Sequence, residues 1–394
     1  MDSISNFPYF EIQFNKEGKV NDASEAQKLL DFLNQQATTD LLVISHGWNN
    51  DMNDARHLYQ KFFAQMRQVI DGGKVSGIGA RKFAILAVLW PSKKFAEADL
   101  IPGGAASAES DLTEAIEKQL TILEELVAEP TTANTFEQLK SLIPELEDSL
   151  AARKKFAELV RSVLTQGATD EEDASTDFFK LDSQEVMQLL SKPILPQPEI
   201  TGEGGAAEIG DFSGETEGGA AGFFNFSGFT AAAGNLLNFA TYYEMKQRAG
   251  TVGKTGLNLL LQQIRTQHPA LKLHLMGHSF GGRLVTAAAL GTGQIPPLKI
   301  ETLSLLQAAF SHYGFADNFE GNKDGLFRKV VENKDVSGAI LITHTKNDKA
   351  VGIAYPIASA LAQDNASALG DENDRDRKST RLNSSHTVIS YAVF

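Results

Sequence analysis

Two hydrophobic patterns alternate along the chain. Leu41–Ser45 and Phe83–Leu89 are near-continuous apolar runs, and Leu271–Met276, Ile300–Leu306 and Ala339–Thr343 repeat the type. Such runs suit parallel strands covered on both faces. Phe10–Phe14 instead alternates apolar and polar positions, as an edge strand does. Between these runs, Ala23–Gln36, Asp54–Ile70, Leu257–Gln267 and Gly282–Leu290 carry the spacing of amphipathic helices. The alternation predicts an α/β fold with a mostly parallel sheet flanked by helices.

The pattern breaks between Trp90 and about Asn235. Glu109–Leu126 and Phe136–Leu164 keep helical periodicity but are rich in Glu and Lys, which predicts an inserted amphipathic helical cap. Pro193, Pro196 and Pro198 close that stretch, and residues 202–234 are rich in Gly, Ala and Phe without regular periodicity. Composition predicts a loop there. Its Phe223, Phe224, Phe226 and Phe229 are too apolar for a solvated linker, so they either pack on the core or line a lid over a site. The expected layout is a core from residues 1–96 and 236–375 around an insertion at 97–235. No repeat of fixed period interrupts it.

A chain of 394 residues with 42% hydrophobic positions is long enough for a large core. Its net charge of -14 opposes binding to nucleic acid or an anionic membrane surface. Zero cysteines leave no disulfide, thiolate metal site or cysteine nucleophile. Residues 1–6 lack the basic start and apolar core of a secretory signal, and no apolar run approaches the ~18 residues needed to span a bilayer. The expectation is a cytoplasmic protein without a membrane span.

The last residues stand apart. Asp376–His386 resembles the in-frame translation of a common short-read sequencing adapter, with Thr387 and Val388 in the barcode position and Ile389–Phe394 as its continuation. Residues 376–394 are therefore read as foreign, with the natural chain continuing differently past Arg375. The alternative is a natural polar tail with a final strand.

Candidate chemistry centres on Gly277-His278-Ser279-Phe280-Gly281, a G-x-S-x-G stretch that follows a strand-like run and precedes a helix-like one. A sharp turn in that context exposes a serine hydroxyl above the end of a sheet, as a nucleophile requires. Gly277 and Gly281 lack Cβ atoms, which lets strand and helix approach closely around the serine. A helix beginning near Phe280 points its positive end at that hydroxyl.

Three further features join this one in chain order. His46-Gly47-Trp48 follows an earlier strand, Asp348 follows a late one, and the helical stretch after Trp90 interrupts the core. Together they resemble the α/β-hydrolase superfamily, particularly its serine esterases and lipase-like members, over the chain up to Arg375. The resemblance implies an α/β-hydrolase fold with an inserted cap and Ser279 as nucleophile. Asp348 would be the triad acid, and the backbone N–H groups of Trp48 and Phe280 the oxyanion donors. His46, Gly47, Gly277, His278 and Gly281 would support them. It implies a small-molecule acyl substrate, no cofactor and no metal. The cap departs from the pattern by starting early.

The base is the missing member. The family places its histidine after the acid, and the one histidine beyond Asp348 is His386, inside the adapter-like tail. The expectation is that the base is absent and the chain poorly active, since a triad works as a unit. Asp317 is the rival acid. His312 would need an unfamiliar chain order and reads as structural, as do His274 and His344, while His57 and His268 read as surface helix residues. A hydrolase-fold protein that binds an apolar ligand or a protein without turnover is the alternative, as is partner capture by the acidic helices of 109–164.

Two phosphate-loop decoys fail. Arg248–Thr255 ends like a Walker A loop, but Arg248 takes the first glycine position and no strand precedes it; ordinary turns are expected. Gly77-Ile78-Gly79 lacks a third spaced glycine. Glu97, Asp99 and the acidic run Asp170–Asp173 read as solvated loop charges rather than cation ligands.

Overall fold

The computed structural model describes residues 2–48, 50–73, 75–92, 109–127, 132–164, 175–191, 228–292, 298–309, 311, 313–318, 324–344 and 388–392. Its contacts divide the chain into two compact units. One is built from Met1–Lys93, Met245–Thr345 and the final strand, and the other includes the helices before Glu244.

The first unit is an α/β sheet. Its strands are β1 (Ser3–Ile4), β2 (Phe7–Gln13), β3 (Asp40–Ser45), β4 (Phe83–Leu89), β5 (Lys272–His278), β6 (Thr302–Leu306), β7 (Ile340–His344) and β8 (Val388–Ala392). They are ordered β1-β2-β4-β3-β5-β6-β7-β8. From β2 to β7 every pairing is parallel, and only β1 and β8 run antiparallel to their neighbours. The central β3 is buried at every position, as its unbroken apolar run demands.

Helix α1 (Ala23–Gln35) starts at Asp22, whose carboxylate accepts from Ser24 N, and α2 (Met52–Asp71) starts with a reciprocal Asp51–Asp54 capping box. Tyr59 and Phe63 of α2 pack on Phe7, Tyr9, Leu42, Ile44, Ile85, Ala87 and Leu89, alternate positions that define one face of the sheet. On the other face, Phe32 of α1 lies 5.0 Å from Phe10. Burying each such side chain stabilises the fold by about 1.5–3 kcal/mol.

Phe10–Gln13 form the second half of β2, whose β4 side is paired; β1 reaches only Phe7 and Pro8, so this half lies at the sheet's outer edge as its alternation implied, and Phe14 follows in an isolated bridge to Val20. The stretch read as foreign contributes β8, paired to β7 from Ile340↔Ala392 to His344↔Val388. Val388-Ile389-Ser390-Tyr391 has high strand propensity, and the open edge of β7 accepts any extended partner.

The second unit is helical: α3 (Glu109–Val127), α4 (Ala133–Leu142), α5 (Leu150–Val163), α6 (Ser175–Lys180), α7 (Ser183–Leu190) and most of α8 (Phe229–Thr251). Phe136, Phe156, Phe178, Met187 and Leu236 are among its fully buried side chains. Residues 229–234, expected in the Gly/Phe-rich loop, are the first turns of α8, and the Arg153 guanidinium lies 3.4 Å from the Phe229 ring centroid. Phe223, Phe224 and Phe226 lie outside the described residues.

Helix α8 leads without a break into a π-helical segment, Val252–Leu257, and then α9 (Asn258–Gln267). This corrects the expectation of turns at Arg248–Thr255. The glycines there serve packing: a Cβ on Gly253 would strike Leu284 O, and one on Gly256 would strike Gly18 O and the Phe14 ring. Arg248 donates to Pro91 O at 2.9 Å, a role within the fold.

Candidate active site

Chain order around β3 and β5 creates the site. β3 continues through α2 to β4 on one side, whereas β5 continues through α10 (Phe280–Leu290) to β6 on the other. Connections that leave in opposite directions open a crevice at the carboxyl ends of the two strands. The register pairs Ser45 with Gly277. His46-Gly47-Trp48 therefore emerges directly beside His278-Ser279-Phe280.

Ser279 occupies φ 53, ψ -123, a region that costs a non-glycine residue about 1–3 kcal/mol. Neighbours hold it there. Its N–H donates to Leu306 O at 3.0 Å, and its carbonyl accepts from Gly282 N at 2.9 Å and Ala309 N at 3.0 Å. Ser279 is also the residue before α10, where serine side chains ordinarily cap the helix. Here the hydroxyl makes no capping bond, because the backbone turns it away from the first helical turn, and the residue is half-buried.

Close backbone approach explains the glycines. A Cβ on Gly47 would lie 2.9 Å from Ser279 Cβ and 3.0 Å from His278 Nδ1. One on Gly281 would strike the carbonyls of Ser45 and His46, and one on Gly277 would strike Gly281 O. The Trp48 and Phe280 rings lie 5.9 Å apart. The two segments expected to supply oxyanion donors are therefore in contact.

His46 organises this end of β3. Its ring is fully buried, stacked on Trp90 at 5.6 Å and 18°. Trp90 N donates to Nε2 at 3.3 Å, Nδ1 lies 3.0 Å from Gly47 O, and Trp90 Nε1 donates to His46 O at 3.0 Å. A neutral ring protonated on Nδ1 satisfies all of these contacts. Burial lowers its pKa from 6.5 to about 4, partly offset by the Gly47 carbonyl and helped by nearby His278. Beneath it, the buried Tyr59 hydroxyl accepts from His46 N at 2.8 Å and donates to Val88 O at 2.6 Å. Sequence reasoning missed Tyr59, Trp90 and Ser92, whose Oγ lies 3.2 Å from His46 Nδ1.

No family model, curated protein or solved structure matches the chain.

The remaining candidates fall elsewhere. Asp348, His312 and His386 lie outside the described residues, as do Glu97, Asp99 and Asp170–Asp173. Asp317 is exposed and pairs with Arg328 at 3.4 Å. His344 ends β7, and His57 is exposed on α2. His268 closes α9 with its Nε2 buried and without a partner, so it is less of a surface residue than expected. His274 bridges Thr302 Oγ1 at 2.8 Å and Asp40 Oδ1 at 2.9 Å, at the opposite end of the sheet from Ser279. Gln307, at φ 47 just past β6, is a second strained residue beside the elbow, and nothing in its local sequence marks it.

Among the described residues, no group of three or more His, Asp or Glu could hold a metal ion. No described helix is long and apolar enough to cross a membrane.

Proposed function

We propose that the chain is built as a serine hydrolase of the α/β-hydrolase type, made to cleave an ester, with an amide as the lesser candidate, through an acyl-enzyme on Ser279, and that with residues 376–394 in their present form it lacks its base and turns over poorly. One observation carries this reading: an uncapped, half-buried serine hydroxyl is held at positive φ in the crevice where β3 and β5 diverge, packed against Gly47. In the first step Ser279 Oγ bonds to the acyl carbon, and the alcohol leaves with the serine's proton, relayed by a base. Water then attacks the same carbon, frees the acid and restores the hydroxyl. Backbone N–H groups of Phe280 and Trp48 would stabilise the oxyanion, and losing one such donor costs about 3–4 kcal/mol of transition-state stabilisation. In this reading Asp348 would orient an imidazole base, which the chain up to Arg375 does not supply after the acid.

The test is labelling of the intact natural gene product, free of the adapter-like tail, by a fluorophosphonate probe, with the modified residue located by peptide mass spectrometry. Modification at Ser279, abolished in Ser279→Ala, is the expected result. Correctly folded natural protein that leaves Ser279 unmodified at long exposure would sink the reading.

A second reading is a noncatalytic protein that holds an apolar ligand in the same crevice. It is favoured by the sequence, in which no histidine follows Asp348 before the adapter-like tail. It requires ligand binding that changes Trp48 emission, with no turnover of any acyl ester.

A further inference from the structure

At the amino ends of β2 and β4, about 20 Å along the strands from Ser279, the sheet carries a cavity of about 360 Å³. That volume lies within the range of small-ligand sites, about 300–1,000 Å³. Its walls are of two kinds. Phe7, Phe32, Phe83, Ile70 and Ile78 form an apolar lining, and three cations, Arg67, Arg81 and Lys82, share it. Among the described residues no carboxylate lines it, although the chain holds 50 acidic against 36 basic residues.

The two guanidinium groups are held in place. The Arg67 guanidinium lies 3.9 Å from the Phe7 ring centroid and donates through Nε to Ser5 O at 3.0 Å, while Arg81 lies 5.8 Å from the Phe83 ring. Arg81 turns Nε and Nη2 toward Asp40, which leaves Nη1 uncommitted, and Lys82 Nζ makes no ion pair among the described residues. Arg67 also reaches the exposed Asp71 at 3.5 Å, a contact that water screens. A larger cavity, about 690 Å³, continues on the far side of Arg81, but Asp40 lines it. The acid-free side is therefore the one suited to negative charge.

We propose that this cavity binds a small organic anion with an apolar body, its carboxylate or phosphate meeting Arg67, Arg81 and Lys82 and its hydrocarbon part lying on Phe7, Phe32 and Phe83. Charge-assisted bonds to guanidinium and burial of apolar surface act together here. The proposal stands apart from the Ser279 reading, although an acid released there would belong to the same chemical class.

The competing account is that the cations merely offset the carbonyl ends of α1 and α2, neither of which has a basic residue in its last turn. Isothermal titration calorimetry on Ser279→Ala protein separates the two, with octanoate and phenyl phosphate as probes and octanamide as the neutral control. The anions are expected to bind with equal affinity to the parent chain and to Ser279→Ala, and the amide at least tenfold more weakly. The double variant Arg67→Gln/Lys82→Gln should weaken anion binding by about tenfold or more, as should raising NaCl from 0.05 to ~0.5 M. Preference for one probe identifies a carboxylate or a phosphate ligand. Gly79→Trp supplies a variant that does not disturb the cations: a Cβ at Gly79 meets nothing within 4 Å, so the indole can fill the cavity and block binding without displacing the fold. No binding of either anion at millimolar concentration would overturn the proposal. So would affinity unchanged by both the double variant and Gly79→Trp, or binding lost on replacing Ser279.

Discussion

Replacing Tyr59 with Phe removes one oxygen and almost no volume, so it isolates the hydroxyl that ties β3 to β4. That oxygen accepts from His46 N at 2.8 Å and donates to Val88 O at 2.6 Å, and all three residues are fully buried. The variant leaves a donor and an acceptor without this partner and with no route to water. Each such group costs about 1–3 kcal/mol, so the expected loss is ~2–4 kcal/mol, below the sum because a small backbone shift lets the two groups approach each other. The chain's two tryptophans both sit here, Trp90 stacked on His46 and Trp48 two residues along the chain from it, so intrinsic fluorescence reports unfolding of this region. Urea titration followed by tryptophan emission should show a lower midpoint with an unchanged slope. A second effect is expected in the crevice: with His46 N released, Gly47 shifts against Ser279 and fluorophosphonate labelling slows. A loss below about 0.5 kcal/mol would refute the claim that the phenol holds the two strand ends together.

Further outcomes follow from the same geometry. Gly47→Ala places a methyl 2.9 Å from Ser279 Cβ, so labelling should slow by ~10–100-fold and the crowding should cost about 1–3 kcal/mol in urea titration. Gly281→Ala drives a methyl into the carbonyls of Ser45 and His46, which cannot yield as a side chain would, and should cost about 3 kcal/mol in urea titration. His46 is held neutral, with its pKa lowered from 6.5 to about 4, so its contribution is complete above pH 6.5 and is lost as pH falls toward 4. Wild type should lose roughly 3 kcal/mol over that window relative to His46→Gln, measured by urea titration at each pH. For Asp40, burial pushes the carboxyl up, but bonds from Arg81, Thr39 and His274 outweigh it and hold the pKa below 3.8. Its contribution is therefore present above pH 3.8 and lost only in stronger acid, so Asp40→Asn should lower stability by ~3 kcal/mol at pH 7 with no added slope between pH 4 and 6.5.

The sheet was legible because burial on both faces leaves long apolar runs in β3 (Leu41–Ile44) and β4, and an alternating apolar core in β5, and the glycines flanking Ser279 marked a close approach that the backbone contacts explain. Glycine misled elsewhere. Gly253 and Gly256 read as breakers, yet they permit α10 and the Phe14 turn to press against a π-helix, so tertiary packing overrode local propensity. The second layer of the site was not legible at all. Tyr59 is 13 residues from His46 and Trp90 is 44 away. Such partners meet only through strand order, which no local pattern encodes.

The final strand has a consequence for handling the protein. β7 has β6 on one side and Val388–Ala392 on the other. Chains cut before residue 388 would carry a naked row of amide and carbonyl groups along Ile340–His344. A second molecule could zip onto that row, so shortened versions should self-associate as their concentration rises.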